Sequence, residues 1–226
     1  MGITRAVCHR WRALVQPRTR GEVGIGQTDG VSLLAAERFF AFLALIAGTG
    51  AVLIAFARLL PAGRRVTGEL QVASLWLAWL VAATCTVGSL YFSESLGLLP
   101  CTLCWYQRVA MYPMAVILLV AALRRDRSVR WYAVPLAGIG ISVSVYHYLI
   151  EWNPEWEATS CDITVPCTTP YFRAFGFVSI SFMALCGFAA ILALLLLVPA
   201  PTGSDSSDDE ADGELTDTPT DLLAQG

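Results

Sequence analysis

The stretch "ASLWLAWLVAATCTVGSLYFSESLGLLPCTLCWYQRVAMYPMAVILLVAALRRDRSVR", residues 73–130, decides the fold. It contains two apolar segments, 73–95 and 105–123, joined by the short turn 96–104 and followed by Arg124, Arg125, Arg127 and Arg130. Each holds about 20 apolar residues, which as a helix crosses a hydrocarbon core of about 30 Å. Backbone exposed to lipid must satisfy its own hydrogen bonds, so both segments should be helices. The pattern recurs at 39–58, 131–150 and 177–198. A mean hydropathy of +0.59 with 56% hydrophobic residues excludes a soluble domain of this length. The expected fold class is an all-α polytopic membrane protein. A four-helix transmembrane bundle fills 73–198, with one extra transmembrane helix at 39–58.

Charge orients the chain. All 15 basic residues are arginine. Residues 199–226 form an acidic Ser/Asp/Thr tail that cannot bury a core and is expected to be disordered and cytoplasmic. Short connectors rich in arginine stay on the cytoplasmic side. These are 124–130 and the connector holding Arg58, Arg64 and Arg65. The turn 96–104 and the longer connector 151–176 then face outward. The latter carries Glu151, Glu155, Glu157 and Asp162 against Arg173. Tyr91, Trp105, Tyr106, Tyr148, Trp152 and Trp156 should gather at the outer surface, with Trp131 and Tyr132 at the inner one. Residues 1–38 break the pattern, because they carry six arginines where five spans would put them outside. They are expected to be disordered or to precede the true start, with Val23 or Val31 read from a GTG codon. Nothing in the chain suggests nucleic-acid binding.

The topology sorts the seven cysteines. Cys85 and Cys186 lie mid-span, where a thiol behaves as a small hydrophobe. Cys8 falls in the N-terminal segment. Cys101, Cys104, Cys161 and Cys167 lie on the two outer loops, where disulfides persist. Pairing within each loop and pairing between touching loops are both open by reach. Alternation between the two is how a dithiol relay moves electrons.

Pro100 precedes the C-x-x-C pair and Trp105 opens an apolar helix, so Cys104 falls at that helix's N-terminus. Unpaired amides there stabilise a thiolate. Arg108 is one turn deeper on the same face. An arginine inside a bilayer costs about 3 kcal/mol unless it snorkels or finds a polar partner. His147 comes in at similar depth from 131–150. The expectation is one pocket flanked by Arg108 and His147, with Cys104 as its lid. A lipid-soluble quinone fits it, its oxygens bonded to Arg108 and His147 and its edge toward the thiolate. The plainer account has Arg108 snorkelling to lipid phosphate.

At this point "GSLYFSESLGLLPCTLCWYQRVAMYP" (88–113), "YHYL" (146–149) and "CDITVPCTTPYFRAFGFVSISFMAL" (161–185) resemble the disulfide bond formation protein B (DsbB) family, most of all its BdbC-like branch. The resemblance covers about 73–198. It implies a membrane thiol–quinone oxidoreductase of the plasma membrane, with its redox cysteines on the extracytoplasmic side. Such a protein reoxidises an extracytoplasmic, DsbA-like thioredoxin-fold thiol oxidase and delivers the electrons to menaquinone or ubiquinone. By position, the resemblance implies redox-active disulfides Cys101–Cys104 and Cys161–Cys167. It implies that Cys161 meets the partner, and that Cys104, Arg108 and His147 lie at the quinone. The span at 39–58 and the acidic tail depart from the family's four-span plan. Two other readings compete: static disulfides stapling the loops of a scaffold or transporter, and a four-cysteine metal site.

Overall fold

The computed structural model describes residues 27–60, 63–157 and 166–197. The acidic tail, residues 1–26 and Cys161 lie outside them. Five helices follow one another: α1 Gln27–Leu59, α2 Gly63–Leu90, α3 Thr102–Arg124, α4 Arg130–Trp152 and α5 Ile180–Leu197. All five are long and apolar enough to cross a membrane. Among the described residues there is no β-strand beyond an isolated bridge between Ala174 and Val178. Helix α1 starts at Gln27, earlier than the 39 expected, and takes in the end of the Arg-rich segment.

Helices α2, α3, α4 and α5 form a ring of four neighbours, and α1 lies in the outer groove between α2 and α5. The bundle axis is filled by the buried side chains Met114, Leu118, Phe188 and Ile191. The outward faces carry Phe42, Val87, Val109, Val116 and Ile139, each more than half exposed. A belt of bare aliphatic side chains around a packed core is what lipid, not water, tolerates. Because lipid tails are as apolar as the helices, close approach and interhelical hydrogen bonds must hold the bundle together. Gly140 provides such an approach: a Cβ there would lie 2.3 Å from the Phe188 ring. Gln107 and Ser144 provide the other, the Gln107 amide donating to Ser144 Oγ across the α3–α4 contact at 2.9 Å.

The helix ends follow from local chemistry. Cys101 is the N-cap of α3, extended at ψ 171, and its Sγ accepts from the Cys104 amide. At the other end Arg125 turns left-handed at φ 55, and Asp126 Oδ1 takes the Ser128 amide at 2.8 Å to start the next helix. Helix α2 ends in a π-helical turn, Tyr91–Ser95, a form often found at functional sites. Gly97, at φ 65, then lets the chain reverse toward Pro100. Beyond the end of α4, Arg173 stacks 4.1 Å over Trp152 and donates to the Glu151 carbonyl. Tyr171 donates its hydroxyl to the Leu99 carbonyl at 2.8 Å, fastening the loop before α5 to the loop before α3.

Candidate functional site

The cap that begins α3 also begins the site. With Cys101 at the N-cap and Cys104 in the first turn, their sulfurs meet at 3.1 Å, Cys101 donating and Cys104 accepting. The Tyr171–Leu99 bond holds the loop before α5 over this turn, and Cys167 donates in turn to Cys101. Three free thiols therefore stand in a directed row, Cys167 to Cys101 to Cys104. The bond that Cys101 donates to Cys104, with burial added, pushes the Cys101 thiol up to about 12. Its own donation to Cys101, then burial, pushes the Cys167 thiol up as well. Both donors keep their protons at neutral pH, and the row ends on Cys104.

Helix α4 brings His147 against this row. Its Nε2 lies 3.7 Å from Cys101 Sγ and 3.8 Å from Glu151 Oε1, one turn further along α4. Glu151 Oε1 accepts from Ser181 Oγ at 2.6 Å, on the first turn of α5. His147 and Glu151 are both buried, and His147 Nδ1 and Glu151 Oε2 have no hydrogen-bond partner among the described residues. A chamber of about 30 Å³, enough for one water, is bounded by Cys101, Cys104, His147, Glu151 and Cys167. The Cys101, Cys104 and His147 donor atoms lie within 4.8 Å of one another.

Arg108 is elsewhere. Its guanidinium crosses to α2, donating to the Ser89 carbonyl at 3.3 Å and to Ser93 Oγ in the π turn, and its end sits 5.5 Å from the Trp105 ring centroid. Tyr112 donates to Ser89 Oγ, adding to the same polar knot. Ser89 and Ser93 are the partners that sequence reasoning missed. Two serines one turn apart in an apolar span were the available signal. Below the knot opens a second cavity, about 380 Å³, between α1, α2, α3 and α5. Its outer end holds Ser89, Gln107, Arg108 and Tyr112, and its deeper end is apolar. The size falls in the usual range for small-molecule sites, about 300–1,000 Å³.

The expected single pocket is thus corrected to two. Arg108 lines the large cavity and His147 the small chamber, because Arg108 leaves α3 toward α2 whereas His147 comes in from α4 on the other side of α3. Cys104 lines both. Of the predicted site residues, Cys101, Cys104, Cys167 and His147 come together, Arg108 reaches the group only through the cavity it shares with Cys104, and Cys161 lies outside the described residues. Cys85 and Cys186 are free thiols against close-packed glycines, Gly187 and Gly48.

A dithiol at a helix start, a third thiol delivered by the next loop and five membrane helices narrow the comparison to few families. The sequence profile described as "Disulfide bond formation protein DsbB" matches residues 71–198, more than half of the chain. The chain belongs to the DsbB family. As a DsbB-family member it is a multi-pass membrane protein whose role is in disulfide bond formation. Among similar proteins, "Probable disulfide formation protein C 2" of Bacillus anthracis is 45% identical over 121 residues, covering 54% of this chain and 86% of that one. "Disulfide bond formation protein C" of Bacillus subtilis (strain 168) is 40% identical over 129 residues, 57% of this chain and 94% of its own. "Probable disulfide formation protein C" of Halalkalibacterium halodurans is 46% identical over 123 residues, 54% and 89% respectively. No solved structure gives a significant match. Helix α1 precedes the matched residues entirely.

Proposed function

We propose that the protein is a membrane protein-disulfide oxidoreductase that takes electrons from an extracytoplasmic thioredoxin-like thiol oxidase and delivers them to a membrane quinone. The observation that carries this reading is the double position of Cys104. One side of its sulfur meets the thiol row, and the other faces the cavity below Arg108.

In the forward direction the partner's dithiol reduces the Cys161–Cys167 disulfide. Two electrons enter, and Cys161 and Cys167 become thiols. Cys167, as thiolate, attacks Cys101 of the Cys101–Cys104 disulfide. The Cys101–Cys167 bond forms and Cys104 leaves as thiolate. The order Cys167, Cys101, Cys104 supports that direction of attack. Cys161 then attacks Cys167, restoring the outer disulfide and leaving Cys101 and Cys104 reduced. His147 borders the same small chamber as Cys167 and lies 3.7 Å from Cys101, placed to take the proton that Cys167 loses as it attacks and to return one to Cys101 as it leaves, with Glu151 behind it to hold the ring.

The large cavity fits the acceptor's chemistry: an apolar chamber with a guanidinium, an amide and a phenol at one end, bordered by the donor sulfur. Arg108 and Gln107 would bind its oxygens there. A quinone held there would supply the two-electron, two-proton acceptor that the return of Cys101 and Cys104 to a disulfide requires. The cysteine loops face outward by the arginine rule, which supports an extracytoplasmic partner.

The test is purified protein with a reduced thioredoxin-like oxidase and a short-chain quinone, followed by quinone absorbance. Cys104→Ser and Cys161→Ser should each abolish turnover. Arg108→Ala should raise the quinone KM while leaving exchange between the cysteine pairs intact. Turnover that survives Cys104→Ser would sink the reading.

A further inference from the structure

Helix α1 lies outside the residues that define the family, yet it lines the large cavity with Phe40, Leu43, Ala44, Ile46 and Ala47. It is held there closely. A Cβ on Gly88 of α2 would lie 2.8 Å from the Phe40 ring, and one on Gly48 would lie 2.9 Å from Cys186 Sγ of α5. Without α1, the cavity would open sideways between α2 and α5 into lipid.

The cavity has a direction. At its outer end are Ser89, Arg108 and Cys104, and Phe40 packs 5.3 Å from Phe92 over the same level. At the inner end are Leu80, Val81 and Ala47. From Ser89 to Leu80 along α2 the helix falls by about 13 Å. An occupant that satisfies both ends has a compact polar head beside Cys104 and an apolar tail running inward along α1. The small side chains Ala44 and Ala47 leave the room for that tail, and Phe40 closes the head end.

We propose that α1 is the acceptor-selecting wall of this protein, enclosing the first isoprenoid units of a polyprenyl quinone between Phe40, Ala44 and Ala47. The inference rests on the quinone reading above and adds to it the residues that recognise the tail. Ala47 is a specificity determinant, since a large side chain there occupies the space the tail needs.

The experiment uses the full chain in lipid nanodiscs. A quinone carrying a photoreactive group on its first isoprenoid unit is irradiated with the parent protein, and labelled peptides are mapped by mass spectrometry. In parallel, KM is measured for a polyprenyl quinone and for a tailless one with the parent, Ala47→Trp, Ala47→Leu and the lipid-facing control Val52→Trp. A cooperative thermal unfolding transition in the nanodisc, with a midpoint near the parent's, reports whether each variant is folded. Label should fall on residues 40–47 and resist excess phospholipid. Ala47→Trp should raise the KM of the tailed quinone about tenfold or more and change that of the tailless one less than about twofold, with Val52→Trp silent. Label confined to α2–α5, label displaced by phospholipid, or equal KM changes for both quinones in the folded variants would overturn the role of α1. A parent chain that reduces and binds neither quinone would instead overturn the function on which it rests.

Discussion

At the scale of single residues, the protonation of the thiol row sets the chemistry. Cys101 donates to Cys104 and is pushed up to about 12. Its neutral form is favoured, so its thiolate fraction at pH 7 is about one in 10⁵ and grows about tenfold per pH unit until the pH nears 12. Alkylation of Cys101 in the reduced protein, read by mass spectrometry, should therefore climb steadily from pH 7 to 10 with no plateau. A plateau near pH 9 would mean an ordinary thiol. Cys167, the attacking thiol in the exchange, is pushed up in the same way, and His147, on the same small chamber, is placed to take its proton. His147→Ala should slow exchange between the two cysteine pairs by about 100-fold at pH 7, as read by quenched-flow alkylation, and the deficit should shrink as the pH rises.

Much of this row was legible before any fold was known. The C-x-x-C pair, its place at a helix start and the second cysteine pair are local facts of spacing. The partner of Arg108 was not legible. Ser89 and Ser93 lie 15–19 residues away on another helix, and only packing tells which helix faces which. The same limit explains the misplaced His147. Distance from a helix end gives depth in the membrane, but the direction around the helix depends on neighbours. Glu151 was read as a loop acid, because the end of α4 falls at Trp152 rather than at 150.

At the scale of elements, the bundle depends on close approach more than on apolar attraction. Gly140→Leu drives a side chain into Phe188 at the α4–α5 contact, where even a Cβ has no space. Overpacking of this kind costs about 1–3 kcal/mol, to be seen as a lower midpoint of thermal unfolding in detergent. Exposed Ile139, on the same helix, should accept Leu with no change. The five spans were readable from length and hydropathy alone, since each must cross the same thickness of lipid. The seat of α1 was not, because a helix apolar on every side carries no stripe to say which face is buried. Its Phe40–Gly88 contact is a fact of tertiary packing.

At the scale of the whole molecule, orientation is the property to test. By the arginine rule, Cys101, Cys104, Cys161 and Cys167 are expected on the far side from Arg124–Arg130. A membrane-impermeant maleimide added to sealed, right-side-out vesicles after reduction should label the thiols of the connector 151–176, which holds Cys161 and Cys167. Labelling only after the vesicles are opened would reverse the orientation.

The small polar chamber and the large apolar cavity share a partition made of Cys104, Tyr171 and Ile180. The one thiol in that partition is Cys104. On the proposed function, that sulfur would carry reducing equivalents across the wall the two cavities share, so that a polar compartment and a hydrophobic carrier could be joined electrically without being joined by a channel.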